Sequence, residues 1–151
     1  MNVNVSWGDV RLKGNPTIVY REISGLGEEV KPKQIVSYAE EHPESELHKC
    51  FTWDNDIAAD KYRLYEARQI QCNLKITYTK DDSESKPQMI RAFFRTDTKP
   101  ESGYKQTVNI LRNENEYQGM LLVAKNELKS FERKYAMLTE LEDIFKLIRE
   151  L

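Results

Sequence analysis

The clearest periodic pattern in the chain lies in its last third, where large apolar residues recur at alternating steps of four and three. The members of this stripe are Tyr117, Leu121, Ala124, Leu128, Phe131, Tyr135 and Leu138. Apolar residues at that spacing fall on one face of an α-helix, so the pattern predicts one long amphipathic helix. The stripe either covers the protein's own sheet or forms a seam with a second subunit.

A short final helix is predicted after the long one. The segment Thr139-Glu140-Leu141-Glu142 matches a capping box, in which a Thr side chain and an acid three residues later satisfy free N–H groups at a helix start. The long helix should therefore end near Leu138. The residues expected to face inward from the final helix are Leu141, Ile144, Phe145 and Ile148.

Three segments in the middle of the chain have the alternation and the β-branched and aromatic residues that are typical of strands. They are Leu74–Tyr78, Met89–Arg95 and Tyr104–Leu111. Three strands with one apolar face predict a small antiparallel sheet that needs helices over it. Polar residues 81–85 predict an exposed loop between the first two strands.

The first half of the chain predicts two helices joined by a connection. Residues 17–23 fit either a strand or a short helix, and Pro32 suits the first turn of a helix that ends near Glu41. Asp54 is a good N-cap for a second helix. One semi-apolar face of that helix is formed by Ala58, Tyr62, Tyr65, Gln69 and Cys72. The bulky Phe51 and Trp53 are predicted to plug the core beneath it.

These elements predict a single α+β domain over residues 1–151, which is long enough for one hydrophobic core. Its parts are an N-terminal arm (1–31), a helical pair (32–72), a small antiparallel sheet (73–111) and C-terminal helices (116–151). The long C-terminal helix and the short final helix are expected to cover the sheet.

Two segments carry a family pattern. The first is Leu47-His48-x-x-Phe51-x-Trp53-Asp54-x-x-x-Ala58-Ala59-x-x-Tyr62-Arg63-x-x-x-Ala67-Arg68-x-Ile70, and the second is Phe131-x-x-Lys134-Tyr135-x-x-Leu138-x-Glu140-Leu141. Together they resemble a family of uncharacterised proteins encoded by bacteriophages and prophages. The resemblance covers about half of the chain. It implies a phage-type origin and implies no chemistry.

Charge and hydropathy narrow the range of partners. The chain is 32% charged and 39% hydrophobic, and its formal net charge is −2. It therefore has no global attraction to nucleic acid or to an anionic membrane, and a nucleic-acid site would need a local basic patch. No apolar run approaches the length of a membrane span, and the N-terminus lacks the regions of a signal peptide. We expect the protein in the host bacterial cytoplasm, without membrane contact.

Candidate catalytic chemistry is sparse. The only conventional soft or borderline metal ligands are His42, His48, Cys50 and Cys72, and there is no CxxC or HxxxH spacing. Neither a P-loop nor a GxGxxG motif occurs, and His48 two residues from Cys50 is too common an arrangement to indicate a nucleophile. We therefore predict no enzyme activity, no metal, no cofactor and two reduced thiols.

Two basic sets are the candidate binding residues. They are Lys61, Arg63 and Arg68 on the second helix, followed by Arg91 and Arg95 on the sheet. Side chains of this type hold phosphates by neutralising their charge. Asp60 and Glu66 interleave with the first set, which is also typical of a mixed, solvated helix surface.

Two functions remain. The first is an accessory factor that binds a host or phage protein, for example as an inhibitor of a host defence complex. The acidic segment 81–84, or the exposed face of the last helices, would then meet a basic protein surface. The second is a DNA-associated phage protein that uses residues 32–72 like a helix-turn-helix. Their connection of about a dozen residues is longer than the turn of that motif, which favours the first function. A homodimer through the helix Tyr117–Leu138 is compatible with both.

Overall fold

A computed structural model of the protein describes residues 4–7, 10–80 and 84–151. Helices and short antiparallel strands both occur, so the α+β prediction is confirmed. The chain divides into two compact units, Met1–Arg63 and Leu64–Leu151. The helix α3 (Asn55–Asn73) belongs in part to each.

The first unit begins with two helices. They are α1 (Pro16–Ser24) and α2 (Pro32–Glu41). The Asn15 side chain accepts the backbone N–H of Thr17 at 3.0 Å and of Ile18 at 3.3 Å, which satisfies free donors at the start of α1. Proline at the first position of both helices supplies the helical φ in advance. The segment 17–23 is therefore a helix rather than a strand.

The core of the first unit lies between these helices and the turn that follows them. Its buried members are Val19, Ala39 and Leu47. The Glu22 carboxylate of α1 accepts the backbone N–H of Leu47 at 2.8 Å, which holds the turn against the helix. Phe51 packs against this core as predicted.

Trp53 does not plug the core, and that prediction is wrong. Its side chain is 37% exposed. The indole N–H donates to the carbonyl of His48 at 2.9 Å, and the two rings stack with centroids 4.6 Å apart. The single N–H of Trp needs a partner when the ring is partly buried, and the His48–Cys50 turn supplies it at the edge of the core.

Helix α3 begins where its cap predicts. The Asp54 carboxylate accepts the backbone N–H of Ile57 at 2.9 Å, so its role as N-cap is confirmed. Residues 60–70 of the helix are all exposed, including Tyr62 and Tyr65. The predicted semi-apolar face of α3 is therefore not buried along its middle.

The second unit contains two small sheets instead of the single predicted sheet. Strands β1 (Lys75–Tyr78) and β2 (Gln88–Arg91) are antiparallel, as are β3 (Phe93–Phe94) and β4 (Lys105–Gln106). Residues 81–83 of the predicted loop lie outside the described residues.

The prediction of a strand over Tyr104–Leu111 is wrong beyond Gln106. Residues Thr107–Ile110 form the short helix α4. The Thr107 hydroxyl donates to the carbonyl of Arg91 at 2.6 Å, and the Thr107 N–H donates to the carbonyl of Ala92 at 2.9 Å. These bonds to the end of β2 turn the chain out of the strand direction.

Two helices close the chain. They are α5 (Glu114–Lys134) and α6 (Glu142–Arg149), separated by a 3-10 turn over Thr139–Leu141. Neither Thr139 nor any other side chain caps the start of the turn or of α6, so the capping-box prediction is wrong. Phe145 and Ile148 are buried as predicted, whereas Ile144 is exposed.

Candidate functional site

The three basic residues of α3 do not form one patch. Lys61 and Arg68 are seven positions apart and share a side of the helix, while Arg63 lies about 200° around the axis from Lys61. The Lys61 ammonium donates to the Thr52 hydroxyl at 2.8 Å. Arg63 pairs with Asp60 at 3.4 Å, and both side chains are largely exposed. The arrangement is that of a mixed, solvated surface.

The two basic residues from the predicted sheet do come together. Arg91 is the last residue of β2, and Arg95 follows β3 directly. Both line one cavity of about 260 Å³ in the second unit. Other residues around this arginine cavity are Cys72, Phe94, Tyr104, Met120, Val123, Ala124 and Glu127.

Each arginine of the cavity keeps a buried donor without a partner. The Arg91 guanidinium lies 4.6 Å from the centroid of the Phe94 ring, a cation–π distance. Arg95 donates through Nη2 to the carbonyl of Lys99. Nε of both arginines is buried and has no hydrogen-bond partner among the described residues. A buried N–H without an acceptor is costly, so these groups would gain from an acceptor in the cavity.

Cys72 and Tyr104 face each other in the same cavity. The Cys72 thiol is 3.6 Å from the Tyr104 hydroxyl and donates to it. This hydrogen bond, together with burial, raises the pKa of Tyr104 above its ordinary value, although the two arginines act in the opposite direction. The phenol therefore stays protonated at neutral pH and can donate a hydrogen bond.

Glu127 of α5 is the carboxylate among the described lining residues. Within the described ranges it makes no ion pair with Arg91 or Arg95. The basic pair was predicted from the sequence as a binding candidate. Its neighbours Cys72, Tyr104 and Glu127 were not predicted, because nothing local in the sequence links α3, the residue before β4 and α5.

A second feature is the apolar stripe of α5. Every residue of this helix is described, and none is buried. The C-terminal apolar face comprises five residues that are 37% to 45% exposed, namely Tyr117, Leu121, Leu128, Phe131 and Leu138. The stripe is therefore not fully buried along these five residues.

A different side of α5 packs against the rest of the second unit. Gly119 lies against the backbone of Thr96. Met120 and Val123 are half-buried and line the arginine cavity. Of the apolar stripe, Ala124 also lines the cavity, whereas the exposed stripe residues Tyr117, Leu121 and Leu128 lie farther around the helix.

Helix α6 is fixed to the end of α5 by mixed contacts. The Phe131 and Phe145 rings meet edge to face with centroids 6.4 Å apart. Arg149 bridges Glu132 at 3.0 Å and Glu142 at 2.8 Å. Ile144 and Leu147 remain 53% and 65% exposed, so α6 adds apolar surface of its own.

Comparison with models of protein families, with curated proteins and with solved structures finds no match to this chain. Over residues 4–7, 10–80 and 84–151, no group of three or more His, Cys, Asp or Glu side chains is placed to hold a metal ion. No helix in those ranges is both long and apolar enough to cross a membrane.

Proposed function

We propose that this chain is a non-catalytic, phage-type accessory protein that acts by binding another protein, of the host or of the phage. The binding surface is the C-terminal apolar face. The observation that carries the proposal is the exposure of four large apolar side chains along α5 and of a fifth, Leu138, just after the helix ends. Contiguous apolar surface of this kind is rare on monomeric proteins unless it serves an interaction.

The apolar residues of the face are spaced along the helix in a way that suits binding in an apolar groove of the partner. Leu121, Leu128 and Phe131 stand at i, i+7 and i+10, which is the anchor pattern of a helix laid into a groove. The two ends of the helix differ in charge, with Glu114 and Glu116 in its first turn and Arg133 and Lys134 in its last turn. A partner groove that is basic at one end and acidic at the other would complement these charges.

Inhibition of a host defence complex is one role that such binding would serve. The phage-type resemblance of residues 47–70 and 131–141 motivates that role. The other acidic segment considered for binding, residues 81–84, lies largely outside the described residues.

The experiment is affinity purification of the tagged chain from infected host cells, with and without nuclease. We expect a protein partner that is retained after nuclease treatment. Leu128→Glu should abolish its recovery, because a carboxylate on the face would be desolvated in the complex. Leu64→Glu is the matched control, since Leu64 is 57% exposed on α3. Recovery that depends on nucleic acid, or that is equal for both variants, would contradict the proposal.

A second copy of the chain is the competing occupant of the face. Sedimentation of the purified parent separates the two cases. We expect a monomer, whereas a dimer that Leu128→Glu dissociates would assign the face to self-association.

The DNA-associated alternative has less support. Lys61, Arg63 and Arg68 do not share one side of α3, so they cannot together follow a phosphate backbone.

A further inference from the structure

Arg91 and Arg95 bring two positive charges to the arginine cavity, and the Asp97 carboxylate interacts electrostatically with Arg95 without forming an ion pair. No carboxylate of the described residues lies within ion-pair distance of Arg91 or Arg95. Their Nε atoms are buried without an acceptor. Most buried polar groups in folded proteins are paired. Two arginines that line one cavity and each keep an unpaired donor therefore point to an anionic ligand beside them.

We propose that this cavity binds a small organic anion whose carboxylate or phosphate oxygens pair with the guanidinium groups of Arg91 and Arg95. The planar fork of a guanidinium matches both kinds of oxyanion. Burial of the two Nε atoms strengthens such bonds, because the local dielectric is lower than that of water.

The residues that line the cavity indicate the chemistry of the part of the ligand that is not the acidic group. Phe94, Met120 and Val123 offer apolar surface to a hydrocarbon or aromatic body. The Tyr104 hydroxyl, protonated at neutral pH, is a third donor for the oxyanion. Glu127 repels a second negative group, so the ligand carries its charge at one end.

The volume of the arginine cavity limits the size of the ligand. A cavity of about 260 Å³ corresponds to roughly nine water molecules at their liquid volume. A single aromatic ring with one acidic group is of that size. This site is separate from the proposed protein-binding face and does not depend on it.

The first test is a calorimetric titration of the full chain with benzoate, with phenyl phosphate and with inorganic phosphate, each in a separate experiment. We expect saturable binding of benzoate or phenyl phosphate, and the stronger of the two identifies the acidic group. Stronger binding of inorganic phosphate, which has no apolar body, would overturn the proposal of an organic anion, and so would the absence of saturable binding by all three.

Arginine variants locate the binding. Arg91→Gln and Arg95→Gln should each weaken it by at least about tenfold, because each removes a charge-assisted hydrogen bond. Arg63→Gln, on the exposed surface of α3, should leave the affinity unchanged. Affinity equal to that of the parent in both cavity variants would overturn the assignment.

A second measurement keeps both arginines in place. In a Cys50→Ser background, Cys72 is the one remaining thiol of the sequence, and it lines the cavity. Saturating benzoate or phenyl phosphate should slow alkylation of Cys72 by iodoacetamide. Binding without any protection of Cys72 would place the ligand elsewhere and overturn the proposal.

Discussion

Gly119 in α5 lies so close to the backbone carbonyl of Thr96 that no Cβ would fit between them. The stripe residues Tyr117 and Leu121 stand two positions before and two positions after Gly119. Each is therefore about 200° from Gly119 around the helix axis. The side of α5 that carries Gly119 therefore packs against the rest of the second unit, and Tyr117 and Leu121 lie on a different side of the helix.

Gly119→Ala should destabilise the protein. The added Cβ would also lie 3.1 Å from the Thr96 carbonyl carbon, and backbone cannot move aside cheaply. We expect a loss of about 1–3 kcal/mol in the free energy of unfolding, measured by chemical denaturation. In an open helix position the same change would be stabilising, because Ala is the better helix former.

Gly103→Ala is the control, since a Cβ at that position meets nothing within 4 Å. A Gly119→Ala variant as stable as this control, or more stable than the parent, would show that the contact is not tight in solution.

The cap of α3 gives a second prediction. Asp54→Ala removes the acceptor for the Ile57 N–H and should cost about 1 kcal/mol of unfolding free energy. Asp54→Asn keeps a capping oxygen and should restore most of that loss. Equal stability of the parent and the Ala variant by thermal melting would rule out the cap.

Acid should weaken the contacts of Glu46. The Lys49 ammonium, at 2.6 Å, and the Asn15 N–H, at 2.8 Å, both favour the charged carboxylate and hold the pKa of Glu46 below its ordinary value of 4.5. A depressed folded-state pKa stabilises the fold fully above the unfolded-state value, and this contribution is lost as the pH falls through the folded-state value.

Glu46→Gln tests this directly. The parent should be more stable than the variant at neutral pH, and the difference should shrink as the pH falls below about 4.5. Glu44→Gln, two residues away on the exposed surface, is the control. A difference between parent and Glu46→Gln that persists unchanged in acid would contradict the account.

The DNA alternative is tested by a gel-shift titration across salt concentrations. Because the basic residues of α3 are spread around the helix, we expect no shift of phage or random duplex even at low salt. A shift that weakens steeply with salt and disappears in a triple Ala variant of Lys61, Arg63 and Arg68 would instead establish phosphate contacts.

Features with a strong local signal could be predicted from the sequence. The stripe from Tyr117 has a helical period over several turns, and α5 follows it as far as Lys134. Asp54 can cap a helix with its own backbone neighbours, so no distant contact is needed. These signals depend on residues a few positions apart.

Features that depend on distant contacts could not be predicted in the same way. Residues 104–111 have strand-like composition, but hydrogen bonds from Thr107 to the end of β2 turn them into a helix. Periodicity revealed that α5 is amphipathic without revealing what covers its apolar side. Likewise, Arg91 and Arg95 were candidates as charges, whereas the thiol and the phenol beside them come from elsewhere in the chain.

The central claim is that the C-terminal apolar face binds a protein partner. It is tested most directly by the dissociation constants of the purified partner with the parent, Leu128→Glu and Leu64→Glu, all three first checked for an unchanged fold by circular dichroism. We predict that Leu128→Glu weakens binding by a hundredfold or more, as truncation of a buried anchor does, and that Leu64→Glu matches the parent. Equal affinity for all three proteins would contradict the account.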